Sequence, residues 1–330
     1  MSETVSIQQA LNRFLENVAL ARSKNTADTY GFAMRAFLAL LADYHIDAQS
    51  TPVADLSEDA VGWFAAALKN LAPATERLYL QALSGFYEFL AAERLASPTL
   101  PRVKLLIRQR ARRTGQRLPQ FPRDDLEKVL DYVSSLPPSP TGDVSQNEHL
   151  RDLRDRAFLL TLADTGLRVH EACNLRRGDI DWNEGRAVII GKGDKQAVVR
   201  FSKRCMNALR AYLSARGMLD GASGRPLSAL PLFARHDKGA GKKVKPMTTA
   251  TGRNIVDERV QQALGDKAEG HITPHSFRHY FVTTVLLASK NLKLAQELAR
   301  HANISVTQRY AHISDDELDK GYFDVFEKNR

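Results

Sequence analysis

The sequence predicts a mainly α-helical protein with one small antiparallel β-sheet, divided into two domains. Three observations predict it. The chain has 330 residues, more than one hydrophobic core ordinarily organises. Apolar residues recur at helical spacing along most of its length. Period-two alternation around a glycine-rich turn occurs in one stretch, between about residues 179 and 201.

Residues 1–96 read as a four-helix module. Ala10, Leu11, Phe14, Leu15 and Val18 mark the first helix, and Tyr30, Ala33, Phe37, Leu40 and Leu41 a second that starts near Thr26. Ser57, followed by Glu58 and Asp59, opens a third with Val61, Phe64, Ala65 and Leu68. Thr75 opens a fourth, with Leu78, Leu83, Phe86, Phe89 and Leu90 on its buried side.

Ser97-Pro98-Thr99-Leu100-Pro101 breaks the helical pattern. Residues 97–117 then read as a basic interdomain linker, carrying Arg102, Lys104, Arg108, Arg110, Arg112, Arg113 and Arg117 with no acidic residue. A charge run is ordinarily a solvated face. Between two domains of a basic protein, it reads as a strap along a phosphate backbone, which requires only charge and reach.

The second domain spans 118–330. Asp124 or Asp125 caps a helix through Leu126, Val129, Leu130 and Val133. Residues 136–148 are rich in proline, serine and polar groups and read as a surface loop. Helical pattern resumes from Leu150 to Ala163. Residues 185–191 and 196–201 form a hairpin signal around Gly-Lys-Gly-Asp-Lys, to which 179–182 adds a third short strand. Further helices are expected near 203–216, 250–264, 274–289 and 293–300. The stretch 235–246, with Lys238, Lys242, Lys243 and Lys245, reads as a loop and adds Lys242 and Lys243 to the candidate DNA contacts.

Composition narrows the partner. Lys and Arg number 47 against 38 Asp and Glu, a net charge of +9, which favours a polyanion, nucleic acid before membrane. The two cysteines, Cys173 and Cys205, form no Cys-x-x-Cys pair, so zinc and redox motifs are not expected. Cys173 reads as a small core residue beside Ala172 and Leu175. The N-terminus lacks a basic and apolar leader, and apolar stretches such as 37–42 are far too short to span a bilayer. A cytoplasmic protein is expected.

The chemistry-bearing residues come in a fixed order: Arg168 in Thr-Gly-Leu-Arg-Val-His-Glu, Lys192 between two glycines, His275 and Arg278 in Pro-His-Ser-Phe-Arg-His, then His301 and Tyr310. Two arginines, a lysine, two histidines and a late tyrosine suit cleavage of a phosphodiester without a metal or other cofactor. Tyrosine, with a pKa of about 10, is a useful nucleophile only beside groups that neutralise phosphate and handle protons. Taken singly, each piece has an ordinary reading. Thr273-Pro274 opens a helix whose first turn places His275 and Arg278 on one face, where an anion would also meet the helix N-terminus. Surface His-x-x-Arg pairs also arise by chance. Glu171 can fix the Arg168 guanidinium or simply form a helix salt bridge with it. Lys192 can reach into a groove or sit exposed in its turn. Its glycines lack the spacing of a phosphate-binding loop.

Together these segments resemble the tyrosine recombinases, the phage integrase family. The resemblance rests on Leu153-Arg154-Asp155-Arg156-Ala157, on Thr165 to Arg168 with Glu171, on Leu175 through Trp182, and on Lys192. It continues in Pro274-His275, Arg278-His279 and His301 to Tyr310, where the tyrosine stands nine residues after the histidine. It covers about 150–312, and Asn25-Thr26 with Tyr30 and Phe37 resembles the family's helical core-binding domain.

The resemblance implies a helical core-binding domain followed by a recombinase catalytic domain. It implies a site-specific recombinase that cleaves and rejoins double-stranded DNA through a 3′-phosphotyrosyl intermediate, without metal or ATP, as a tetramer across two recombination sites. Arg168 and Arg278 would grip the scissile phosphate, His301 would hydrogen-bond it, and His275 would assist proton movement. Lys192 would protonate the leaving 5′ oxygen, Tyr310 would attack, and Glu171 would be support. Residues 316–330, with Leu318, Tyr322, Phe323, Val325 and Phe326, would pack on their own subunit or dock on a neighbouring protomer.

The chain departs from the family pattern at Ala299-Arg300, where Leu-Gly is usual, and Phe277 replaces the commoner Leu. Lys195 rivals Lys192 within the same turn. His279 faces elsewhere on its helix and reads as structural. A type IB topoisomerase shares this chemistry, and a non-catalytic DNA-binding protein shares the fold. The helical module and basic linker favour the recombinase over the first, and the complete residue set argues against the second.

Overall fold

The computed structural model describes residues 4–112, 122–137, 146–190, 196–237, 239–240, 243–265 and 272–301. The chain divides into two compact units, Met1–Arg117 and Leu118–Arg330.

The first unit is built from helices α1 (Ile7–Ala21), α2 (Lys24–Asp43), α3 (Asp59–Ala67), α4 (Pro73–Ala92) and α5 (Leu100–Arg110). Ser6 starts α1 reciprocally with Gln9: each backbone amide donates to the other's side-chain oxygen, at 3.0 and 3.2 Å. Ile7, Leu11, Phe14, Phe37, Phe64, Leu83 and Phe86 fill the core between the helices. Phe14 meets Phe86 at 5.5 Å between ring centroids, and Phe37 meets Phe64 edge-on at 5.4 Å. Pro73 occupies the first turn of α4, so this helix begins ahead of Thr75. Leu78 lies 40% exposed, and the buried stripe of α4 runs instead through Leu80, Leu83, Phe86, Tyr87 and Leu90.

Residues 100–110, within the interval read as a basic linker, are helical. They form α5, which packs on α3 and α4. Pro101 sits in the first helical turn, where its missing N–H is no loss. Val103, with Leu106, Ile107 and Ala111, faces the core at helical spacing. The basic face is largely engaged within the unit. Arg102 pairs with Glu58 and Asp59, and Lys104 with Glu88. The Arg110 guanidinium covers Gly62, where a Cβ would lie 2.0 Å from Nη1. Arg112 donates through its backbone amide and its guanidinium to Glu76, which Lys69 also bridges at 2.7 Å. Arg108 forms no ion pair with a described residue and is exposed. Arg113 and Arg117 lie outside the described residues.

The second unit comprises α6 (Arg123–Ser135), α7 (Gln146–Thr165), α8 (Val169–Asn174), strands β1 (Ile180–Asp181), β2 (Arg186–Ile190) and β3 (Gln196–Arg200), then α9 (Lys203–Ala215), α10 (Gly217–Gly221), α11 (Thr249–Leu264), α12 (Pro274–Ser289) and α13 (Leu292–Ala299). Asp124 and Asp125 lie in the first turn of α6, behind Pro122 at the cap, where their charge suits the helix dipole. The sheet is antiparallel in the order β1-β2-β3, with Ile180 opposite Ala187 and Ala187 opposite Val199. Ala187, Ile189 and Val199 face the core while Val188 and Val198, directly paired, face out.

Helix α7 is the axis of this unit, buried on most sides from Leu153 to Thr165. Phe158 packs edge-on against Phe233 at 5.2 Å. Asp155, 1% exposed, accepts from Arg259 of α11 at 2.7 Å and from Arg154 at 2.7 Å, so the buried carboxylate is paired on both oxygens. Both cysteines are buried, and burial pushes the Cys173 thiol up to about 11.

Candidate active site

Arg168 is placed by the end of α7. Gly166 terminates that helix in the left-handed conformation, at φ +61°. A Cβ there would lie 2.4 Å from Cδ1 of Phe281 on α12, so glycine is required both by the turn and by the close approach of the two helices. The Thr165 hydroxyl accepts from the Leu167 amide at 3.2 Å, and Leu167 is fully buried. Arg168 then emerges in extended conformation at the head of α8, its side chain 43% exposed. Glu171, one turn on, accepts from the Arg168 backbone amide and from its Nη1, each at 2.8 Å. Burial tends to raise the Glu171 pKa, but the Arg168 amide and the Arg300 and Arg168 guanidinium groups outweigh it and hold the carboxyl below its ordinary range.

Arg278 comes from the first turns of α12. Pro274 takes the opening position, and the Thr273 amide donates to the Ser276 hydroxyl at 3.1 Å. Unlike Arg168, Arg278 is 3% exposed. Its Nη1 donates to the Gly166 carbonyl and its Nη2 to the Ala299 carbonyl, which fixes the guanidinium between the end of α7 and the end of α13. His275, three residues earlier, lies at the exposed start of the same helix. His279 does not face elsewhere. One turn beyond His275, it stacks edge-on against that ring at 4.4 Å between centroids.

His301 follows α13. Asn291 caps the start of that helix, accepting from the Leu294 amide at 2.9 Å. At its end, Arg300 adopts the left-handed conformation and the His301 amide reaches back to the Gln296 carbonyl at 3.1 Å. The Gln296 amide in turn donates to the His301 carbonyl at 3.0 Å. This closed turn presents His301 beside Arg278.

The site is electropositive, and its histidines register the field. Burial, then Arg278 and Arg168, lower His301 to about 4. Burial, then His275 and Arg278, lower His279 to about 4. His275 is lowered by partial desolvation and by the same two arginines. All three are therefore neutral at pH 7 in the absence of an anion. Among the described residues, no group of three or more His, Cys, Asp or Glu is placed to hold a metal ion.

The structure thus brings together Arg168, Glu171, His275, Arg278 and His301 from α8, α12 and α13. Lys192, its rival Lys195, and Tyr310 lie outside the described residues, as does the tail from 302 onward. The arms of the hairpin carrying Lys192 pair Ile190 with Gln196. Lys242 also lies outside, while Lys243 is exposed and lines a cleft with Arg235 and His236. Sequence reasoning missed three participants. The Gly166 and Ala299 carbonyls are backbone groups with no side-chain signature. His279 was detectable from its four-residue spacing to His275.

The phage integrase family matches residues 142–317 of the chain. Tyrosine recombinase XerC of Bacillus pumilus (strain SAFR-032) is 33% identical over 254 residues, 77% of this chain and 75% of its own length. Tyrosine recombinase XerC of Bacillus subtilis (strain 168) is 30% identical over 267 residues, 79% of each. Among solved structures, the XerH site-specific recombinase bound to palindromic difH substrate, a post-cleavage complex, superposes with a TM-score of 0.70 at 17% identity, over 98% of this chain and 97% of that one. A lambda integrase (75–356) dimer bound to a COC′ core site gives 0.63 at 16% identity, over 93% and 96%. These relatives favour the recombinase over the topoisomerase. Family match and relatives agree that the chain belongs to the phage integrase family and is a tyrosine-type site-specific recombinase.

Proposed function

We propose that this recombinase acts in the cytoplasm on double-stranded DNA carrying a specific site, as a tetramer across two such sites, and needs neither metal nor ATP. One observation carries the assignment of its residues. Arg278, buried and fixed by two carbonyls, and Arg168, held by Glu171, share a positive site rimmed by His275 and His301. Two fixed guanidinium groups beside two imidazoles suit a scissile phosphate.

The two guanidinium groups grip its non-bridging oxygens, for which the planar arginine fork is suited. His301 adds a hydrogen bond, and His275 takes part in moving the proton off the nucleophile. The Tyr310 hydroxyl loses that proton and its oxygen attacks phosphorus. The bond from phosphorus to the 5′ oxygen breaks, and Lys192 gives the departing oxygen its proton. The resulting 3′-phosphotyrosyl ester conserves the bond energy, so a new 5′ hydroxyl can reverse the step without ATP.

The test uses a duplex recovered by selection from random-sequence DNA and nicked so that the covalent adduct accumulates. Arg168→Ala and Arg278→Ala should each slow adduct formation at least a hundredfold with Kd changed far less. Lys192→Ala should be slow on ordinary DNA and largely restored on a duplex with sulfur at the bridging 5′ position, whose leaving group needs no proton. Adduct formation at normal rate in either arginine variant would refute the phosphate clamp. Restoration with Lys195→Ala instead would move the general acid to Lys195.

A further inference from the structure

We infer that Arg300 is a positioning residue, tying the two phosphate-gripping arginines into one unit. This rests on the assignment of Arg168 and Arg278 as that clamp. A single nitrogen makes the link. Nη2 of Arg300 lies 3.3 Å from the Gly166 carbonyl oxygen, which also accepts from Arg278. The same nitrogen lies 3.1 Å from Oε2 of Glu171, whose Oε1 holds Arg168 at 2.8 Å. Arg300 therefore reaches Arg278 through a shared carbonyl and Arg168 through a shared carboxylate. It also divides the one carboxylate between two cations, so Glu171 does not fully neutralise Arg168.

Folding stability does not explain an arginine here. Its backbone is left-handed, at φ 57° and ψ 43°, a conformation that glycine adopts freely and an L side chain does not. Its Nε and Nη1 are buried and have no hydrogen-bond partner among the described residues. An unmade buried hydrogen bond is destabilising. The side chain is 12% exposed, and burial, offset by Glu171, lowers its pKa. A helix end optimised for stability alone would carry glycine at this position. The arginine is accounted for by what its Nη2 holds in place.

The deciding variant is Arg300→Gly, which relieves the backbone and removes the tie. It should melt at or above the Tm of the unchanged protein. On the nicked duplex described above, it should form covalent adduct at least tenfold more slowly, with Kd changed less than threefold. Arg300→Lys retains the charge but not the fork and should recover part of the lost rate. Guanidinium ion at millimolar concentration should also partly restore Arg300→Gly, as a merely structural role would not allow. A rate within twofold of the unchanged protein in Arg300→Gly would overturn the inference. So would a Tm drop of several degrees, which would make Arg300 a stability residue. Arg168→Ala, measured beside it, separates the two levels: if that variant also cleaves normally, the clamp itself is wrong.

Discussion

At the residue scale, the site is a positive pocket whose charge is only partly compensated. His301 lies within its field and is lowered to about 4, first by burial and then by Arg278 and Arg168. A phosphate between those arginines cancels the field that lowers the imidazole, so its pKa should rise when DNA binds. Imidazole NMR of the Tyr310→Phe protein, titrated with and without duplex, measures the rise. A pKa unmoved by DNA would place the phosphate elsewhere. Gly166 is the second sensitive point. Ala there would have to hold φ at +61° and meet the Phe281 ring, a combined strain of roughly 2–4 kcal/mol. Gly166→Ala should accordingly lower the denaturation midpoint and slow cleavage together; normal stability would show that α7 and α12 can separate without loss. Arg168, Glu171, His275, Arg278 and His301 were legible in the sequence because their chemistry resides in side chains, whereas His279, set against His275, reads there as structural. The Gly166 and Ala299 carbonyls that fix Arg278 were not legible, because any residue supplies a carbonyl and only the fold aims it.

At the scale of elements, α5 shows where a charge pattern misleads. Its run of arginine and lysine, entered through Leu100-Pro101, conceals the Val103, Leu106, Ile107 stripe that docks it on α3 and α4. The hidden partner is Glu76, 1% exposed on α4. Burial tends to raise its pKa, yet Lys69 and the amide and guanidinium of Arg112 together hold it at about 2. Glu76→Gln should therefore destabilise the first unit by roughly 1–3 kcal/mol, since it leaves donors beside a neutral amide that cannot satisfy them all. Trp63, stacked on Tyr44 at 4.3 Å in this unit, supplies the fluorescence signal in a Trp182→Phe background. An unchanged denaturation midpoint would mean that α5 is held by its apolar face alone. The hairpin and the long helices were legible because their periodicity is unbroken. Leu78 was misplaced because the inward face runs through Leu80 and Leu83, and a residue two positions before Leu80 lies about 200° around the helix.

At the scale of the whole molecule, the two units should respond differently to acid. In the second, His236 is lowered from 6.5 to about 3, chiefly by burial and then by Arg154 and Arg216, while His279 and His301 stand at about 4. Each binds its proton more readily in the unfolded chain. The stability they allow is full above pH 6.5 and is lost as pH falls through that value toward their folded pKa values. In the first unit, Glu76 retains its contribution down to about 4.5 and loses it toward about 2. Hydrogen exchange on the full chain, corrected for intrinsic rates, should show α6, α7, α9, α11 and α12 losing protection between pH 7 and 5 while α1 to α5 do not. Loss in the first unit ahead of the second would contradict these pKa directions.

Whether this positive pocket serves Tyr310 as its nucleophile is decided by locating the covalent bond. The unchanged protein and Tyr310→Phe are incubated in EDTA with the nicked duplex, and the SDS-resistant product is digested and sequenced by mass spectrometry. One adduct is expected, a 3′-phosphate ester on the peptide containing Tyr310, formed without added metal. Tyr310→Phe should form none, while its DNA affinity stays near normal. An adduct on another residue, normal adduct yield with Tyr310→Phe, or cleavage restored only by magnesium would contradict it.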